Sequence, residues 1–302
     1  MDPLTLALEA APKALVYGAT LLAVGVCAAR RLAGRIEIDG AAQDQRFTRL
    51  VGRVGLVLLA ALAARAAGHT AAVFGPAAAF DWHQLEIVAV ESGWGQAWQR
   101  QMAAALLFAV LAWSAAHWGP LGWSLAEIGA AALCYAVPLT GHAAGDLVPV
   151  LVHGTHLLAG GLWLGTLVAA VLLTRSVEAD RIAARLPGAS PRAFLTSAAL
   201  LAPFAPLAVS GAVGVLLTGL VMAFWYLGGA TEFLATPYAW TLLVKVSLVA
   251  DAATLGFLNW RALHRGTTAA TAGPRVVFLA AEAAAAVAVV LASAVLTELE
   301  HP

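Results

Sequence analysis

The chain has 302 residues, 61% of them hydrophobic and only 11% charged, with a mean hydropathy of +0.83. Soluble domains run nearer about 45–50% apolar and about 25% charged, so a water-soluble enzyme is excluded. Seventeen basic residues balance seventeen acidic ones, and no net charge points towards nucleic acid.

A membrane-crossing helix needs roughly 20 mainly apolar residues. Eight windows approach or meet that requirement: Ala14–Ala29, Leu50–Ala67, Ala97–Ala116, Leu121–Leu139, Val148–Thr174, Ala193–Phe224, Tyr238–Arg261 and Val276–Leu296. They are rich in Ala, Leu and Val and show no two-residue alternation, so they predict helices and not barrel strands. The fifth and sixth exceed one membrane thickness, which predicts tilt or projection beyond the lipid. The expected fold is all-α: a polytopic bundle of about eight transmembrane helices, one domain over residues 1–302. A faint parallel repeat of four helices, 1–140 and 141–302, is suggested by Ser92-Gly-Trp94-Gly95 before the third span and Thr236-Pro-Tyr238-Ala239 before the seventh.

Basic residues set the expected orientation. Arg30, Arg31, Arg35, Arg46, Arg49 and Arg53 fall between spans one and two, Arg175, Arg181, Arg185 and Arg192 between five and six, and Arg261, Arg265 and Arg275 between seven and eight. Those loops are expected in the cytoplasm, with both termini outside, in the periplasm of a Gram-negative cell. The outer segments carry Asp81, Glu86, Glu91, Asp146, Glu232, Glu298 and Glu300. Asp2 and Glu9 precede the first span and its basic cluster follows it, the reverse of signal-peptide flanks, so an uncleaved first span is expected.

Taken along the chain, the chemistry-bearing residues gather on the outer side. Cys27 and Cys134 stand alone in different helices and have no CxxC partner. His69 and His83 fall near the outer face as weaker metal-ligand candidates, as do Met102 and Met222, which are at most single soft ligands. The densest stretch is Gly141-His142-Ala-Ala-Gly-Asp146 followed by His153-Gly-Thr-His156. An i,i+3 spacing puts His153 and His156 on one helical face, and imidazole suits copper, zinc, nickel and iron. His142 or Asp146 would supply a third ligand across the short loop. Trp163 follows one heptad later, roughly 10 Å deeper, where it would roof the site or close a path below it. Metal coordination, haem ligation and interhelical hydrogen bonding all satisfy this spacing.

Gly161 and Gly165 in the same helix have GxxxG spacing, which allows close approach by another helix. Glu127, Lys245, Asp251 and Glu282 fall within spans, where an ionisable group is expensive and a functional candidate. They read either as a polar path through the bundle or as structural salt bridges, with Asn259 as an interhelical hydrogen-bonding residue. Lys245 and Asp251 are i,i+6 and do not share a face.

With these residues in view, the chain resembles the bacterial copper resistance protein D family. The most specific piece is His153-Gly-Thr-His156-Leu-Leu-Ala-Gly-Gly-Leu-Trp163-Leu-Gly165, and Gly141-His142-Ala-Ala is similar to a second family feature. Thr236-Pro-Tyr238-Ala-Trp-Thr-Leu-Leu-Val-Lys245, continuing to Asn259-Trp-Arg261, resembles a third, with Ala239 in place of the usual Gly. Ser92-Gly-Trp94-Gly95-Gln-Ala-Trp98-Gln-Arg100 and Glu282 are also similar to family features. The resemblance implies an inner-membrane protein that handles a copper ion, commonly moving it from periplasm to cytoplasm. It also implies a periplasmic copper-binding partner of the copper resistance C type.

The leading expectation is therefore a copper permease and not an enzyme. No GxxxxGK[ST] pattern is present, so transport would run down a gradient or with protons through Glu127, Asp251 or Glu282. Two other classes fit the spacing: a membrane oxidoreductase with haem b held by histidines, and a copper-binding or docking protein that moves nothing.

Overall fold

A computed structural model describes residues 3–33, 40–141, 145–173, 191–226, 236–264 and 272–299. Every regular element among them is helical. Helix α1 spans Pro3–Ala33, α2 Gly40–Phe74, α3 Trp82–Glu86, α4 Gly93–Ala115 and α5 Gly119–Ala136. Helix α6 begins as Leu147–Gly160, passes through a π-helical turn at Gly161–Gly165 and ends at Leu173. Then follow α7 (Pro191–Tyr226), α8 (Pro237–His264) and α9 (Ala272–Leu296).

The eight sequence windows fall on α1, α2 and α4 to α9. Six of these are, among the described residues, long and apolar enough to cross a membrane: Pro3–Ala33, Gln43–Phe74, Gly119–Thr140, Leu147–Leu173, Phe204–Tyr226 and Pro237–Arg261. Helix α4 does not reach that standard and carries Gln96, Gln99, Arg100 and Gln101 in its first turns. The described apolar part of α9, Ala280–Leu296, is shorter. The chain is thus a multi-pass helical membrane protein.

Local chemistry starts the elements where they start. The Ser92 hydroxyl accepts the Gly95 amide at 2.8 Å and caps α4, and Thr236 accepts the Ala239 amide at 3.2 Å at the head of α8. Each satisfies an amide that has no intrahelical partner. Asp81 caps the short α3 in the same way. That helix and the π turn Ile87–Glu91 behind it were not expected from hydropathy, because each is only five residues long.

Helix α1 is the axis of the molecule: it packs against α2, α5, α6, α7 and α9. One core joins α1, α2, α4 and α5 through Val16, Phe47, Leu58, Leu62, Phe108 and Leu133. A second, around Trp163, Leu164, Ala252, Ala286 and Val289, joins α6, α8 and α9, with Phe204 and Val215 of α7 against it. Cys27 and Cys134 are both free and buried.

The expected GxxxG contact has a definite partner. A Cβ on Gly25 of α1 would overlap the Gly165 backbone, and one on Gly165 would overlap the Leu21 carbonyl. A Cβ on Gly161 would meet Val24 at 2.6 Å. The glycine face of α6 is therefore pressed onto α1, and the π turn lies at this crossing.

Ion pairs fix which helix ends lie together. Lys13, near the start of α1, is 3% exposed and bonds Glu298, just past α9, at 2.6 Å. The start of the first helix and the end of the last thus share one end of the bundle. At the other end Arg30 pairs with Asp44 at 2.6 Å and lies over Trp123. Arg31 makes a two-pronged bond to Glu127.

Candidate functional site

His153 and His156 rise from the first turns of α6, at the bundle end that carries Lys13 and Glu298. Both are turned towards α7. The His153 ring meets Tyr226 edge-on at 5.8 Å between centroids, and His156 Nδ1 lies 2.9 Å from Thr218 Oγ1. Gly219, beside Thr218, leaves His156 Cε1 only 3.7 Å from where a Cβ would stand.

Hydrogen-bond chemistry assigns the tautomers. His153 Nδ1 is 2.9 Å from the Pro149 carbonyl, which accepts only, so that nitrogen carries the proton. Thr218 donates its own proton to the Gly214 carbonyl at 2.5 Å, so its oxygen accepts from His156 Nδ1. A proton on Nδ1 leaves Nε2 as the nitrogen that bears the lone pair in the neutral ring, the state a metal ligand needs. The carbonyl bond alone marks nothing, because His117 at the opposite end makes the same contact with Trp113. What sets α6 apart is two such rings one turn apart facing the same helix.

Lys245 of α8 lies within electrostatic range of His156, and Trp163 is buried below in the second core. Tyr238, at the head of α8, is buried within electrostatic range of Tyr226. Among the described residues no three His, Cys, Asp or Glu side chains stand close enough to hold a metal ion. His142 lies outside the described residues. Asp146 is exposed at the N-terminus of α6, and His83 is exposed on α3. Met222 is half-buried on α7, and Met102 packs against the first core.

The intramembrane charges separate into unlike cases. Glu127 is engaged by Arg31, whose side chain is 65% exposed, so it belongs to the basic end of the bundle. Asp251 is exposed on α8. Glu282 of α9 is 2% exposed, accepts from Asn259 Nδ2 at 2.6 Å, and fills the space a Gly256 side chain would need. Among the described residues no cation pairs with it. It is the one of the four that combines full burial with a polar partner on a neighbouring helix.

Sequence reading named His69 as a weaker metal candidate but missed the polar cluster around it. Glu9 of α1 is buried and lies 2.6 Å from His69 Nδ1 on α2. The His69 ring stacks on Trp94 of α4 at 4.0 Å. Below it Arg65, 2% exposed, donates to Gln101 at 3.1 Å and to Thr140 at 2.6 Å, while Gln101 donates to the Val137 carbonyl at 2.5 Å. The signal was available: an arginine inside the apolar window Leu50–Ala67, and Glu9 with Lys13 one turn apart in an apolar run.

A multi-pass helical membrane protein with paired histidines at one end of its bundle is the class that fold and site define. Residues 198–296 match the family described as Copper resistance protein D, and residues 5–147 match Copper resistance protein D-like, N-terminal domain. The two matches together take in most of the chain, which belongs to the copper resistance protein D family. The family implies a role in copper resistance. His153, His156 and Trp163 lie between the two matched stretches. No curated protein and no solved structure matches the chain.

Proposed function

We propose that the chain carries copper across the bacterial inner membrane, from periplasm to cytoplasm, entering through His153 and His156. The observation that carries this reading is the pair of imidazoles on α6, one turn apart and facing the same helix, each with its Nδ1 engaged by a hydrogen-bond acceptor. They sit in a family tied to copper resistance. His142, on the loop before α6, completes the ligand set, with Asp146 as the alternative oxygen donor.

The end bearing these histidines is the periplasmic one. The clustering of arginine at the other end supports this orientation, in which both termini lie outside and eight helices span the membrane. A periplasmic copper carrier of the copper resistance C type hands over the ion there. Glu282 lies on the path inward and carries a proton, supported by its burial beside Asn259.

The test is copper accumulation in cells expressing the wild-type chain or a His153→Ala, His156→Ala double variant at equal protein level. Wild-type cells gain copper and double-variant cells stay at the level of cells lacking the protein. Equal accumulation in both overturns the reading.

A further inference from the structure

The Glu9–His69–Trp94 cluster is built as a site, and the entry path through α6 leaves it unused. Three helices converge to make it. Pro12 has no amide hydrogen, so the Leu8 carbonyl of α1 lacks its helical donor. Gly68 of α2 packs directly against that oxygen, where any side chain would collide. This close approach brings the next residue, His69, onto Glu9 of the next position in α1. Trp94 closes the ring from α4, held in place by the Ser92 cap two residues earlier.

The chemistry of the pair is specific. A carboxylate accepts only, so the 2.6 Å contact puts a proton on Nδ1, and the neutral ring then has its lone pair on Nε2. A histidine that donates one nitrogen to a carboxylate while the other is an open acceptor is the arrangement that orients metal-binding imidazoles and raises their basicity. Among the described residues no protein group bonds Nε2, and the His69 side chain is 23% exposed. The nitrogen is therefore both directed and reachable.

Its surroundings set how tightly it would hold a cation. The guanidinium of Arg65 lies 5.7 Å over the Trp94 ring, and the buried Arg65 Nε has no hydrogen-bond partner among the described residues. That positive charge opposes the negative charge of Glu9. One imidazole nitrogen in a nearly neutral setting suits an ion that is captured and passed on, not stored.

We propose that His69 Nε2, oriented by Glu9 and backed by Trp94, is a second copper-loading site, in the N-terminal half and separate from His153 and His156. The inference rests on the copper reading above. It gives the N-terminal half of the chain its own histidine beside a hydroxyl-capped helix head, with Ser92 and Trp94 of α4 against His69.

The experiment is equilibrium binding of Cu(II) alone to the purified full chain in detergent, read as bound copper per chain and as quenching of tryptophan fluorescence. His69→Gln loses one equivalent relative to the wild type, and the His153→Ala, His156→Ala double variant keeps that equivalent. Glu9→Gln weakens it about tenfold. Trp94→Phe keeps a stacked ring and the bound copper but loses part of the quenching, which gives a readout even if His69→Gln folds poorly. Wild-type stoichiometry in His69→Gln, wild-type affinity in Glu9→Gln, or unchanged quenching in Trp94→Phe overturns the inference and leaves the α6 site standing. A wild-type chain that binds no copper at all overturns the copper reading itself.

Discussion

Thr218 on α7 accepts the Nδ1 proton of His156 on α6 at 2.9 Å, because its own proton is committed to the Gly214 carbonyl. One hydroxyl therefore settles both the tautomer of the imidazole and its orientation across a helix interface. Groups of this kind act through the ligand they hold, and their loss typically costs about 10–100-fold in metal affinity. Thr218→Val should weaken copper binding about tenfold at unchanged stoichiometry, and Thr218→Ser should restore it. A competition titration with a copper chelator on the purified protein measures this; unchanged affinity in Thr218→Val would remove the threonine from the site.

The contact between Gly25 and Gly165 makes a stability prediction. Each backbone occupies the space of the other's missing side chain, so Gly25→Val must separate α1 from α6. Overpacking of this kind costs about 1–3 kcal/mol, and here backbone and not a flexible side chain must give way. The variant should unfold at a lower temperature in detergent than the wild type. Gly52→Ala, where no atom lies near the added methyl, should not.

Two carboxylates that look alike in hydropathy should behave differently. Glu127 forms its ion pair with an exposed arginine, and exposed pairs are worth at most about 1 kcal/mol. Glu127→Gln should therefore leave copper accumulation and folding near wild type. Glu282→Gln keeps a hydrogen-bonding partner for Asn259 and so should fold, yet it cannot release a proton and should lose copper accumulation. Comparable accumulation in the two variants would remove Glu282 from the path.

Helices were more legible than the contacts between them. Long apolar runs must satisfy their backbone internally, so each window marks a helix. Whether a charge near a window's edge is solvated or buried depends on a neighbour the window does not contain. Lys13 reads as a flanking charge, yet it is buried because Glu298, 285 residues away, comes back to meet it. Glu127 reads as an intramembrane acid, yet Arg31 draws it to the basic end. His153 and His156 were visible because one helix carries both. The Glu9–His69 pair was not, since its partners are 60 residues apart and meet only through the Pro12–Gly68 approach. The α6 glycines announced a close helix contact but not α1 as the partner, which depends on the matching Gly25.

Passage of copper across the membrane through the α6 histidines is tested most directly by flux in a defined system. The full chain, reconstituted in liposomes enclosing a copper-sensitive dye, should admit copper added outside. The His153→Ala, His156→Ala variant, reconstituted to the same density and in the same orientation, should admit no more than protein-free liposomes. Equal copper entry with wild type and double variant, or none with either, would contradict the account.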